Sequence, residues 1–135
     1  MSQDWVADIA QMHTKFGVNK KVRELNQEQL RMFLDFRIKF LEEELNETRE
    51  AANAEVIDAE EVVDGLIDLC VVAIGTLDAF NVDAYTAWDK VHVANMSKEV
   101  GVKPSRPNPL QLPDLIKPEG FISPCHFGNH GLLAK

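Results

Sequence analysis

The chain has 135 residues, 45% hydrophobic and 27% charged, with a formal net charge of -8. That length suits a single domain, either with its own core or completed by a partner chain, and the composition is ordinary for a folded soluble protein. The acidic balance excludes a protein that coats nucleic acid, because that work needs a basic surface. It leaves room for a small nucleotide, since divalent cations can bridge two anions. The opening "MSQDWVADIAQMH" lacks the basic and apolar regions of a signal peptide. No window approaches the uncharged apolar length of a bilayer span. Cys70 and Cys125 make no disulfide framework. These features read as a cytoplasmic protein with no membrane partner.

In chain order, the first predicted helix covers about Asp4 to Phe16, with Trp5, Ile9, Met12 and Phe16 at helical spacing and Gly17 as its C-cap. The second runs from about Gln27 to Ala52. Asn26 is its N-cap with Gln29 three residues on, and Leu30, Phe33, Leu34, Ile38, Leu41 and Leu45 form its apolar stripe. The third spans about Ala59 to Phe80. Asp58 and Glu61 have capping-box spacing, and the helix is apolar almost all round, which reads as central and buried. The fourth covers about Asp83 to Lys98, with Ala84, Trp88, Val91 and Met96 on its apolar face and Trp88 read as core. All six prolines lie from Pro104 to Pro124, so helix gives way there to an extended arm packed on the body or on a neighbouring subunit. The expected fold is all-α, an antiparallel four-helix bundle over residues 1–98 with a Pro-rich arm over 99–135.

The acids carry the chemistry. Positions three or four apart share a helical face, so Glu44 and Glu47 are neighbours and Glu43 adjoins Glu47. Glu61, Asp64 and Asp68 fall on one strip of the next helix. A solvated acidic face accounts for the first set alone, and a capping box accounts for Glu61. Asp64 and Asp68 sit among Val63, Leu66, Ile67, Leu69 and Val71, where an acid must be paired, neutralised or metal-bound. Arg31, Arg37 and Lys39 are possible partners. Two helices each offering acids at i,i+3 spacing suggest a shared cation instead. An all-oxygen set favours Mg²⁺ or Mn²⁺ over zinc, and no Glu-x-x-His pair supports a di-iron bundle. Chemistry on a phosphate anhydride is the natural use of such an ion. Cys125, His126 and His130 supply only three of the four ligands a structural zinc needs.

Glu43-Glu44-x-x-Glu47, thirteen intervening residues, then Glu61-x-x-Asp64 resembles the EExxE…ExxD signature of the MazG-like all-α NTP pyrophosphatases. "MHTKFGV" (12–18), "WDKVHVANMSK" (88–98) and "LPDLIKPEGF" (112–121) are similar to further segments of phage and bacterial members. The last ten residues lie outside the resemblance. The resemblance implies hydrolysis of a nucleoside triphosphate between the α and β phosphates, yielding a monophosphate and pyrophosphate. It implies Glu44, Glu47, Glu61 and Asp64 as ligands of two or three Mg²⁺ ions, with Mn²⁺ able to substitute. Glu43 and Glu47 would be the catalytic acids, Glu43 as an outer acid or a water-orienting base. Asn95 and Lys98 match an NxxK phosphate contact, to which Lys90 could add a charge. Lys90 and Val93 replace the glutamate and arginine common in the pattern. Asp68 would be a supporting acid, and His92 a packed or substrate-touching side chain. His13 and Phe16 could border a base pocket, though core is the favoured reading for Phe16. The active site is expected between the second, third and fourth helices. The resemblance also implies a homodimer or homotetramer and a (d)NTP substrate, (d)GTP first, then dCTP or dUTP. Phosphoribosyl-ATP pyrophosphohydrolase and a non-catalytic helical regulatory protein are the alternatives.

Overall fold

The computed structural model describes residues 1–134. Five α-helices account for most of it: α1 (Trp5–Phe16), α2 (Val18–Arg23), α3 (Gln27–Ala52), α4 (Ala59–Ala79) and α5 (Ala84–Met96). A short antiparallel pair follows, β1 (Glu99–Gly101) with β2 (Asp114–Ile116), and a 3₁₀ turn at Gly131–Ala134. The all-α class expected from the sequence holds. The helix count differs, because α2 is only six residues long and too short to show a periodic stripe.

The termini form as their residue chemistry dictates. Asp4 caps α1 by accepting from the Ala7 N–H at 2.9 Å. Gly17, at φ 71, closes α1 in the left-handed region that glycine adopts without a Cβ penalty. Asn26 and Gln29 form a full capping box on α3. The expected box on α4 is only half made. Asp58 accepts from the Glu61 N–H at 3.2 Å, but the Asp58 N–H donates to the Ala51 carbonyl at 3.1 Å. Glu61 is therefore left out of the cap.

Two compact units are present. One comprises Met1–Ala84 and the segment from Asn129, the other Tyr85–Gly128. In the first, α3 runs antiparallel to α4, with Arg37 reaching Val72 and Thr76 and Thr48 facing Gly65. α1 and α2 pack on α4 as well. The core gathers at one end, where Val22, Leu30, Ala79 and Phe80 are buried under Phe33, Leu34, Val82 and Leu132. Phe80 is the largest fully buried side chain, worth about 1.5–3 kcal/mol. The chain returns to this end, where the Leu132 N–H donates to the Phe80 carbonyl at 2.7 Å. Asn129 bonds both backbone groups of Asp83, each at 2.9 Å.

Several expectations of burial are corrected. α4 is not buried all round: Val63, Leu66 and Ile67 remain 63%, 51% and 45% exposed. Trp88, read as core, is 72% exposed, and Phe16 is 69% exposed. The physical reason is shared. An apolar helical face is buried only where another element covers it, and one chain does not supply enough elements.

Helix α4 approaches its neighbours at two glycines. A Cβ on Gly65 would stand 2.1 Å from Thr48 Oγ1, and one on Gly75 would stand 2.6 Å from the Arg37 guanidinium. Gly65→Ala is expected to cost about 1–3 kcal/mol of stability through overpacking. In a double-mutant cycle read by urea unfolding, Thr48→Ala should relieve much of that cost, because it removes the closest colliding atom.

Candidate active site

Helix periodicity places Glu44 on the side of α3 that faces α4, one turn before Thr48. The Thr48 hydroxyl donates to the Glu44 carbonyl at 2.8 Å, and Thr48 is buried against Gly65. The close helix approach therefore lies beside the acids of both helices. Desolvation, then the charges of Asp68, Glu47, Glu43 and Asp64, push the Glu44 carboxyl above the ordinary carboxylate range. Four acids from two helices thus act on one carboxyl. Asp68, read from sequence as a supporting acid, has the largest charge effect on Glu44. Glu61 is not among these charges and is exposed.

The acids are less enclosed than the sequence suggests. Asp64 is exposed and Asp68 half-buried, because the α4 flank carrying Val63 and Ile67 is itself open. Among the described residues no lysine or arginine forms an ion pair with them: Lys39 pairs with Asp35 at 2.9 Å, and the Arg37 guanidinium donates to the Thr76 hydroxyl and the Val72 carbonyl, each at 3.0 Å. Among the described residues, no three His, Cys, Asp or Glu side chains close on a point as metal ligands do. The donors are all hard oxygens and mutually repelling, which suits a hard divalent cation. Glu44, Glu47 and Asp64 could hold one with Asp68 beside them, and exposed Glu61, the fourth expected ligand, would have to turn toward them.

Beyond this cluster lies a polar network the sequence did not reveal. His13 is 3% exposed. Its Nδ1–H donates to Asp78 at 2.8 Å, and Asn19 Nδ2 donates to the same oxygen at 2.8 Å. This ties α1 and α2 to the end of α4. His13 therefore packs inside the body rather than bordering a base pocket. Helical spacing showed neither His13 nor Asp78, because their pairing spans 65 residues.

The remaining candidates belong to the Tyr85–Gly128 unit. Helix α5 ends at Met96, two residues before Lys98, and the Lys98 N–H still bonds the Asn95 carbonyl at 3.1 Å. Asn95 and His92 are exposed, Lys98 half-buried. The Lys90 ammonium donates to the Cys125 carbonyl at 2.8 Å, which holds the tail segment to α5. Cys70 and Cys125 are free thiols. No helix among the described residues is long and apolar enough to cross a membrane.

The pH behaviour of Glu44 follows by linkage. A carboxyl raised in the folded state binds its proton more tightly than in the unfolded chain, so metal-free stability falls as pH rises through the carboxylate range. Glu44→Gln should remove that fall and raise the metal-free melting temperature at neutral pH by a few degrees. It should also shrink the stabilisation that Mg²⁺ or Mn²⁺ confers. Thermal denaturation in chelator and in millimolar metal reads both effects.

A family model described as phosphoribosyl-ATP pyrophosphohydrolase matches residues 10–95. Neither the curated proteins nor the solved structures give a match to the chain. The matched span begins in α1, contains both acidic segments and ends at Asn95. The chain belongs to the phosphoribosyl-ATP pyrophosphohydrolase family, within the MazG-like all-α NTP pyrophosphatase superfamily, and is a nucleotide pyrophosphohydrolase acting on a phosphoric anhydride.

Proposed function

We propose that the protein is a Mg²⁺-dependent nucleoside triphosphate pyrophosphohydrolase, converting a (d)NTP and water to the (d)NMP and pyrophosphate. The observation that supports this reading is that acids of both helices, Asp68 and Asp64 on α4 with Glu47 and Glu43 on α3, lie within charge range of Glu44. Such a cluster opposes a polyanionic substrate unless divalent cations join the two. Glu44, Glu47, Glu61 and Asp64 are the proposed ligands, two or three ions being held with substrate, and Mn²⁺ substitutes. Asp68 stands in reserve as a supporting acid. Bound metal would polarise the α-phosphate and lower the pKa of an attacking water. Glu43 and Glu47 orient that water and take its proton. Its oxygen bonds to the α-phosphorus as the bond to the bridging oxygen breaks and pyrophosphate leaves. Asn95 and Lys98 keep the phosphate-binding role that the NxxK resemblance gives them.

Among bases, (d)GTP is the first choice, then dCTP and dUTP, in keeping with the phage-like segments. The description of the matching family favours a second reading, with phosphoribosyl-ATP as substrate. A homo-oligomer suits the chain, because Val63, Leu66 and Ile67 leave an apolar flank of α4 open.

A product assay tests the reaction. The eight common NTPs and dNTPs, and phosphoribosyl-ATP, are each incubated with Mg²⁺ or Mn²⁺, and pyrophosphate and orthophosphate are read separately. Monophosphate plus pyrophosphate from one of the triphosphates is the expected outcome; release of orthophosphate alone would overturn the α,β cleavage. Glu47→Gln and Asp64→Asn should each lower turnover by roughly 100-fold or more, since loss of an outer partner of a metal ligand already costs about 10- to 100-fold. Near-normal turnover in either variant removes that residue from the ligand set.

A further inference from the structure

The Tyr85–Gly128 unit has five basic residues, Lys90, Lys98, Lys103, Arg106 and Lys117, and four acids, Asp89, Glu99, Asp114 and Glu119. Three of the cations are engaged. Lys90 is bonded to the Cys125 carbonyl. Arg106 pairs with Asp114, and Lys103 also acts on that acid. Lys98 and Lys117 have no ion pair or hydrogen bond from their ammonium groups to the described residues.

Two observations bring those two lysines together. Their Nζ atoms lie 5.9 and 5.5 Å from the centroid of one ring, that of Phe121. A β-turn holds the ring in place: the Phe121 N–H donates to the Pro118 carbonyl at 3.1 Å, and Gly120 takes the turn's positive φ of 76. Separately, the strand register pairs Glu99 with Ile116. Lys98 and Lys117 flank that end pair, just outside the two strands. Two like charges gathered on one ring repel unless an anion joins them.

We infer that Lys117 joins Lys98 as a two-lysine clamp for the phosphate chain of the substrate, a role that no motif match assigns to Lys117. The inference rests on the pyrophosphohydrolase reading only for the identity of the polyanion. A di- or triphosphate brings negative charge to both ammonium groups at once and relieves their repulsion. Lysine suits this task as a compact point charge with rotatable donors. The aromatic ring holds both side chains forward without neutralising them.

The test uses inorganic triphosphate with Mg²⁺, titrated calorimetrically into the full chain, alongside melting temperatures and KM for the best nucleotide. Lys117→Glu supplies an opposite charge on the ring that Lys98 shares, so the fold should become as stable as the wild type or more so. Its affinity for triphosphate should nevertheless fall by about tenfold or more, the scale of one lost charge-assisted contact. Lys117→Arg should stay within a few-fold of wild type, and KM should follow the same order with kcat little changed. Unaltered triphosphate affinity in Lys117→Glu would overturn the clamp. So would a parallel loss of stability and affinity in both variants, which marks a structural role. A wild-type chain that fails to bind triphosphate overturns it too. Lysine-dependent triphosphate binding by a chain that hydrolyses no nucleotide supports the clamp and defeats the proposed reaction instead.

Discussion

The close approach of two acid-bearing helices at Gly65 is the constraint around which the first unit is organised. Desolvation and then the charges of Asp68, Glu47, Glu43 and Asp64 raise the Glu44 carboxyl above its ordinary range. The helices nonetheless stay close there, because Gly65 offers no side chain and Thr48 turns its hydroxyl back to its own helix. A larger residue at position 65 would force the two acidic faces apart. The same glycine therefore sets both the packing and the charge density. Proteins retain such unfavourable local arrangements where a ligand removes the penalty.

That strain is offset at the opposite end of the same helix pair. Phe80, Val22, Leu30 and Ala79 are buried there, and His13 and Asn19 both bond Asp78. Arg37 stands between the two ends. Its guanidinium lies 6.0 and 5.8 Å from the Phe33 and Phe40 rings and is committed to Thr76 and Val72. Desolvation lowers its pKa, yet it makes no salt bridge with the acids. Its charge is thus committed away from the acids.

The second unit shows the reverse imbalance on a smaller scale. Asp114 is held below the ordinary carboxylate range by the Leu115 N–H and by Arg106, so these charges are satisfied internally. Lys98 and Lys117 are not. Uncommitted ammonium groups of this kind suit a polyanion, as clustered carboxylates suit a hard divalent cation.

Much of this was legible in the chain alone. Asn26 with Gln29, Gly17 after Phe16, and the 3.6-residue spacing of Leu30, Phe33 and Leu34 determined where α1 and α3 begin and end, because caps and periodicity act over a few residues. The spacing of Glu43, Glu44, Glu47, Glu61 and Asp64 determined which acids share a helical face and pointed to the family. The sequence could not show that Asp58 would bond Ala51 instead of completing a box with Glu61. Nor could it show that Val63, Ile67 and Trp88 would stay exposed, or that Asp68 would outrank its neighbours in acting on Glu44. Those outcomes depend on which helix lies against which face. The pairing of His13 with Asp78 and the shared contact of Lys98 and Lys117 with Phe121 likewise join residues apart in the chain. Local sequence specifies the elements; distance and burial between them exist only once the elements are packed, and the tertiary structure alone decided those.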